Sequence, residues 1–152
     1  MNGVGNPVSI ALVIAQFVLL ALLASPLEGW LPTSPRQAIG GAFLLGGIAL
    51  ALVAAVSMRA TRFSVLPEPQ SGGTLVEHGP YRFVRHPMYA AVLVCGVGAC
   101  IAHADARHAL WLVLIALVLW LKIRREERLL LDVYPGYADY RRRVRALVPG
   151  LF

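Results

Sequence analysis

His78-Gly-Pro-Tyr-Arg-Phe-Val-Arg-His-Pro-Met-Tyr89 places two His, two Arg, two Tyr and two Pro within twelve residues of an otherwise apolar chain. Such groups are costly near a bilayer, so their concentration at one place marks a functional site. Pro80 and Pro87 break any helix through the stretch, and Pro87 suits the first turn of the apolar run that follows. Arg85 and His86 therefore precede a helix N-terminus, whose free N–H groups and partial positive charge favour an anion such as a carboxylate. The stretch is read as one wall of a cofactor pocket at a membrane surface.

The rest of the chain supports a membrane setting. Of 152 residues, 58% are hydrophobic and only 14% are charged, against roughly 25% charged in soluble domains. Mean hydropathy is +0.67. A formal charge of +6 invites a nucleic-acid partner. The basic residues instead flank apolar runs, as membrane anchors do, so no nucleic acid is expected.

Four apolar runs stand out: residues 1–27, which carry no charge, Gln37–Met58, Pro87–Ala102 and Ala109–Leu121. The second is long enough to cross ~30 Å of hydrocarbon. The fourth, at ~20 Å, spans only if its flanks are counted. A re-entrant hairpin is the competing reading for runs three and four. The first run lacks a basic leader, and Pro26 spoils cleavage at Ala24-Ser25, so it is read as a retained helix. The expectation is an all-α polytopic membrane protein forming one domain over 1–152. It has about four transmembrane helices, two of them in 1–58, the last two forming a tight hairpin, plus a short C-terminal helix.

Twelve of the fourteen Lys and Arg lie in two places: Arg59, Arg62, Arg82 and Arg85 before run three, and Lys122 with seven arginines after run four. Only Arg36 and Arg107 fall on the other side. The positive-inside rule then puts the motif and both termini in the cytoplasm of a cell whose inner or plasma membrane holds the protein. Trp30 and Trp111 mark the opposite interface, while all five Tyr fall near the cytoplasmic one.

Other features have simpler readings. Gly47, Ala51 and Ala55 repeat at the small-xxx-small spacing that lets membrane helices approach. No glycine follows a predicted strand, so no dinucleotide fingerprint is present. Cys95 and Cys100 lie on well-separated faces of one helix and are read as small buried hydrophobes. No metal-ligand spacing is apparent, and His103 and His108 are expected in the short loop facing the other side. Pro67–Gly73 is a turn-rich loop.

A second polar cluster, Lys122-Ile-Arg-Arg-Glu-Glu-Arg128, follows run four. Lys122 and Glu126 stand at i,i+4. Glu126 and Glu127 point about 100° apart on a helix and do not serve one partner equally. The two clusters stand at the same end of one helical hairpin, one offering anion donors, the other carboxylates. Beyond Pro135-Gly136, Tyr137 and Tyr140 share a face of a short basic helix and are expected to pack it over the pocket. Its arginines are suited to anionic lipid headgroups.

Tyr81-Arg-Phe-Val-Arg-His-Pro-Met-Tyr89, with Glu126-Glu127, Leu130, Tyr137, Tyr140, Val144 and Val148-Pro149, resembles the integral membrane methyltransferases of the isoprenylcysteine carboxyl methyltransferase and phospholipid N-methyltransferase group. The resemblance covers roughly residues 70–150 and departs at Ala90, where the group often has Gly. It implies S-adenosylmethionine as donor, S-adenosylhomocysteine as product, and a cofactor site of Thr74, Leu75, Val76, Tyr81, Arg85, His86, Pro87, Met88, Tyr89 and Glu126. It also implies a basic residue at the acceptor, here Lys122 or Arg125. A carboxylate acceptor needs no base; for an amine, Glu127 is the candidate. The expected partners are membrane lipids and a lipophilic acceptor entering sideways between helices, at a place the sequence does not locate. Rival readings are a nicotinamide-dependent sterol-reductase-like enzyme and a non-enzymatic membrane protein.

Overall fold

The computed structural model describes residues 6–25, 33–58 and 75–148. Thr74, Arg59, Arg62, Trp30, Pro149 and the 67–73 loop lie outside them.

Helix starts follow the local chemistry. α1 (Pro7–Leu23), α2 (Pro35–Ser57) and α3 (Pro87–His103) each begin on a proline, whose missing N–H costs nothing in a first turn. The Asn6 side chain accepts from the Val8 N–H at 3.0 Å. Ser34 Oγ accepts from Gln37 at 3.3 Å. Asp105 Oδ1 accepts from His108 at 2.8 Å and starts α4 (Ala106–Val133). Caps of this kind contribute about 1 kcal/mol each. α5 (Tyr137–Arg143) follows the Pro135-Gly136 break. Only Ala104, left-handed at φ 50°, and Asp105 separate α3 from α4, a tight hairpin.

The described residues are all-helical, apart from an isolated parallel bridge between Val84 and Arg145. α2 and α4 are long and apolar enough to cross a membrane. α1 and α3, with 17 residues each, reach only ~26 Å. α4 includes the flanks that the short fourth apolar run needed: it runs 28 residues, ~42 Å. The apolar run ends at Leu121, but Lys122–Leu131 consists of strong helix formers, so polarity changes there and the backbone does not.

α2 and α3 pack through bare backbone. A Cβ on Gly40 would lie 2.7 Å from Gly98 O, and one on Gly47 would clash with Cys95 Sγ and lie 2.8 Å from Ala91 O. The seam is therefore Gly40, Gly47 and Ala54, all buried at seven-residue spacing. That differs from the expected Gly47–Ala51–Ala55 stripe. α1 packs on α4 through Leu23, Ile115 and Leu119. Outward, Ile14, Leu45, Leu52, Val113 and Leu117 are more than half exposed, an apolar surface of lipid-facing character.

His103 and His108 belong to helix ends rather than a loop. With Asp105 they bring ligand atoms within 4.8 Å of one another, a grouping that the linear spacing conceals. His108, fully buried, has Nδ1 on the Asp105 carboxylate (2.8 Å) and Nε2 on Ser25 O (3.0 Å). The group thereby caps α4 and ties it to the end of α1.

Candidate active site

The motif enters as a single 3₁₀ turn, Gly79–Arg82. Gly79 has φ +60°, and a Cβ there would meet Ser57 Oγ at 2.5 Å, so glycine alone fits. The backbone then runs beside the chain after α5: Arg85 N–H donates to Arg145 O (2.8 Å) and His86 N–H to Ala146 O (3.0 Å). Tyr140 Oη donates to Tyr81 O at 2.6 Å, and Arg143 pairs with Glu77 at 3.0 Å. α5 is thus strapped across the motif. Tyr137 and Tyr140 are buried against each other, edge to face. Burial pushes the Tyr81, Tyr137 and Tyr140 phenols well above their usual range, and nearby Glu126, Glu127 and Glu77 respectively add to it.

Two carboxylates from α4 divide the work. Glu127 is buried in a cationic clasp. Its Oε1 accepts from Arg85 Nε (2.8 Å) and Nη2 (2.6 Å) and stands 3.3 Å from His86 Nε2. Its Oε2 meets Arg141 Nε at 3.2 Å. Arg85 also donates to the carbonyls of Arg141 and Val144. One guanidinium therefore fastens α4, α5 and the motif together. Glu126, a third of a turn round, accepts from Tyr89 Oη at 3.0 Å and lies 3.6 Å from His86 Nδ1.

Glu126 faces a cavity of about 370 Å³, within the range of small-molecule sites. Its polar lining is Gln16, Tyr81, Arg85, His86, Tyr89, Lys122 and Glu126, with the thioethers of Met58 and Met88; its apolar lining is Phe17, Leu20, Ala51 and Val92. Lys122, 1% exposed, donates to Gln16 Oε1 at 2.5 Å and stands 5.1 Å over the Tyr89 ring.

Seven of the residues singled out in the sequence thus meet in one cavity: Tyr81, Arg85, His86, Met88, Tyr89, Lys122 and Glu126. Others stand elsewhere. Val76 is buried against Ala54 and Tyr81, and Pro87 is buried at the start of α3. Leu75 is half-buried outside the lining. Arg125 donates to Ser9 Oγ at 2.8 Å. Glu127 lies in the clasp, its oxygens already engaged, a poor situation for a base.

Sequence reasoning missed Gln16, Phe17, Leu20, Ala51, Met58 and Val92 as lining residues, all but Val92 from α1 and the second half of α2 with its cap. One signal was present. Ser9 and Gln16, the polar side chains within the aliphatic run, stand seven residues apart on one helical face. Polar groups in apolar spans turn inward, and these two meet Arg125 and Lys122.

The cobalt-zinc-cadmium resistance protein CzcN of Cupriavidus metallidurans is 37% identical over 84 residues, 54% of this chain and 38% of that protein. The match thus spans well under half of that relative's length. No solved structure matches. The family model for phospholipid methyltransferases matches residues 35–136, from the start of α2 through the motif, the Glu pair and the break before α5. With more than half of its length so matched, the chain belongs to the phospholipid methyltransferase family.

Proposed function

We propose that the cavity is the site of S-adenosylmethionine-dependent methyl transfer to a lipophilic acceptor at the cytoplasmic membrane face. The single observation that carries this reading is the meeting of the motif and the α4 cluster around one cavity whose lining combines polar and apolar side chains.

The residues present fit the donor. When bound, it supplies an activated methyl carbon with an amino group, a carboxylate and ribose hydroxyls to be held. Arg85 and the N-terminal end of α3 suit the carboxylate. Glu126, fixed by Tyr89, suits an amino or hydroxyl group. Tyr81 and Tyr89 offer ring faces suited to a cationic centre. Val76 packs behind Tyr81, and with Leu75 and Thr74, the last outside the described residues, it is proposed to contribute to the donor site. Positioning does most of the work for a carbon already activated.

Lys122 and Gln16, hydrogen-bonded to each other in the lining, are proposed to meet the acceptor's head. α1 packs on α4 and α2 on α3, and the cavity is lined from both α1 (Phe17, Leu20) and α2 (Ala51, Met58). The acceptor's tail is proposed to enter sideways between α1 and α2. Arg125 and Glu127 act as positioning residues, through Ser9 and through Arg85.

The test is incubation of purified protein with methyl-labelled donor and a lipid extract, with products resolved by mass spectrometry. A labelled lipophilic product, lost in Glu126→Gln, is expected. Oxidation of NADPH without labelled product would overturn the reading in favour of a reductase.

A further inference from the structure

A second concavity lies on the opposite side of α4. It encloses about 460 Å³ and is lined by Trp120, Leu121, Arg124, Glu127, Arg128 and Arg141. The catalytic proposal uses none of its arginines.

Its charge and shape are informative together. Leu110, Val113, Leu117 and Leu121 recur every three or four residues on an exposed stripe of α4. The same stripe continues as Arg124 and Arg128, both exposed. One helix face thus changes from hydrocarbon to guanidinium within a turn. Trp120 sits at the change, with the Arg124 guanidinium 4.9 Å from its ring, a pairing typical of a membrane interface. Arg141 reaches in from α5, about half exposed. Glu127 forms the floor, and its charge is already taken up by Arg85 and Arg141. Arg124 and Arg128 add positive charge beyond that balance.

We propose that this groove binds the phosphate of an anionic phospholipid, with its acyl chains along Leu117 and Leu121. The site is distinct from the catalytic cavity and does not require the methyl-transfer reading. The apolar stripe favours a lipid over a free anion, and three arginines at the level of an interfacial tryptophan match a phosphodiester. Because Arg141 touches both the groove and Glu127, while Arg85 donates to Arg141 O at 3.1 Å, occupancy is linked to the clasp behind the cavity.

Native mass spectrometry of the whole protein in detergent, titrated with phosphatidylglycerol or phosphatidylcholine, tests this. The wild-type chain is expected to retain phosphatidylglycerol and not phosphatidylcholine. Arg124→Gln with Arg128→Gln is expected to weaken retention about thirtyfold, and Lys at both positions to restore most of it. Equal retention of the two lipids, or unchanged retention in the Gln pair, overturns the proposal. So does displacement of the lipid by inorganic phosphate at equal concentration, which marks a free-anion site. Should the Gln pair fail to fold, the wild-type comparison of the two lipids still decides.

Discussion

Replacing Arg85 by Met removes the guanidinium that fastens three segments, and the structure sets the size of the effect. Both partners are buried, with side chains 9% and 8% exposed for Arg85 and Glu127. Removing one member of a buried pair costs about 3–5 kcal/mol, because the other charge is left in a poor environment. Here Arg141 remains 3.2 Å from Glu127 Oε2 and is half exposed, so the loss falls near the lower end, about 3 kcal/mol, or roughly 150-fold in the folding equilibrium. Glu127→Gln leaves Arg85 with two backbone carbonyls and costs less, about 2 kcal/mol. Together the two changes cost less than their sum by about 1 kcal/mol or more, the coupling of a direct pair. Equilibrium unfolding in mixed micelles, followed by circular dichroism, gives all four corners of the cycle. Additive losses below about 0.5 kcal/mol each, the behaviour of a solvated surface pair, refute the clasp.

Further outcomes follow from particular contacts. Gly47→Ala drives a Cβ to 2.8 Å from the Ala91 carbonyl and into Cys95 Sγ, costing about 1–3 kcal/mol. Gly46→Ala, with nothing within 4 Å, is neutral or gains up to about 1 kcal/mol of helix propensity; thermal melting of both variants separates the two. Asp105→Ala loses the α4 cap and the hold on His108 and costs about 1–2 kcal/mol, while Asp105→Asn, which keeps a capping oxygen, costs less in the same melt. Tyr81, Tyr137 and Tyr140 have folded-state values raised by burial. Their stability contribution is therefore intact below the unfolded value of about 10 and declines as pH rises above it. Absorbance at the phenolate band then shows these three ionising only with unfolding; smooth ionisation of all five near pH 10 in the folded protein contradicts that burial.

The motif and its role as a wall were legible because proline, histidine and arginine are expensive in apolar sequence and are kept there for cause. The hairpin was legible from Pro87 and the short gap before α4. The full length of α4, to Val133, was only partly legible: hydropathy reports where a helix leaves the lipid, while the backbone follows propensity, and Lys122–Leu131 has plenty. The packing stripe on α2 was misread because small residues are abundant there, and only the facing atoms of α3 select Gly40, Gly47 and Ala54. The division between Glu126 and Glu127 was half visible. Their 100° separation argued against equal service to one partner, and His86 does stand unequally between them, 3.3 Å from Glu127 and 3.6 Å from Glu126; which one faces the cavity has no local signal. Gln16 escaped notice because one amide in an aliphatic run reads as tolerated until Lys122 is found beside it.

Calorimetric titration of the detergent-purified chain with S-adenosylhomocysteine tests the central claim most directly. Saturable binding is predicted, weakened about tenfold by Glu126→Gln, which removes the carboxylate's charge, or by Tyr89→Phe, which removes the donor of the 3.0 Å hydrogen bond at the cavity wall, and unchanged by Gly46→Ala on the open face of α2. Folded protein that binds no S-adenosylhomocysteine, or wall variants that bind as the wild type does, contradicts the account.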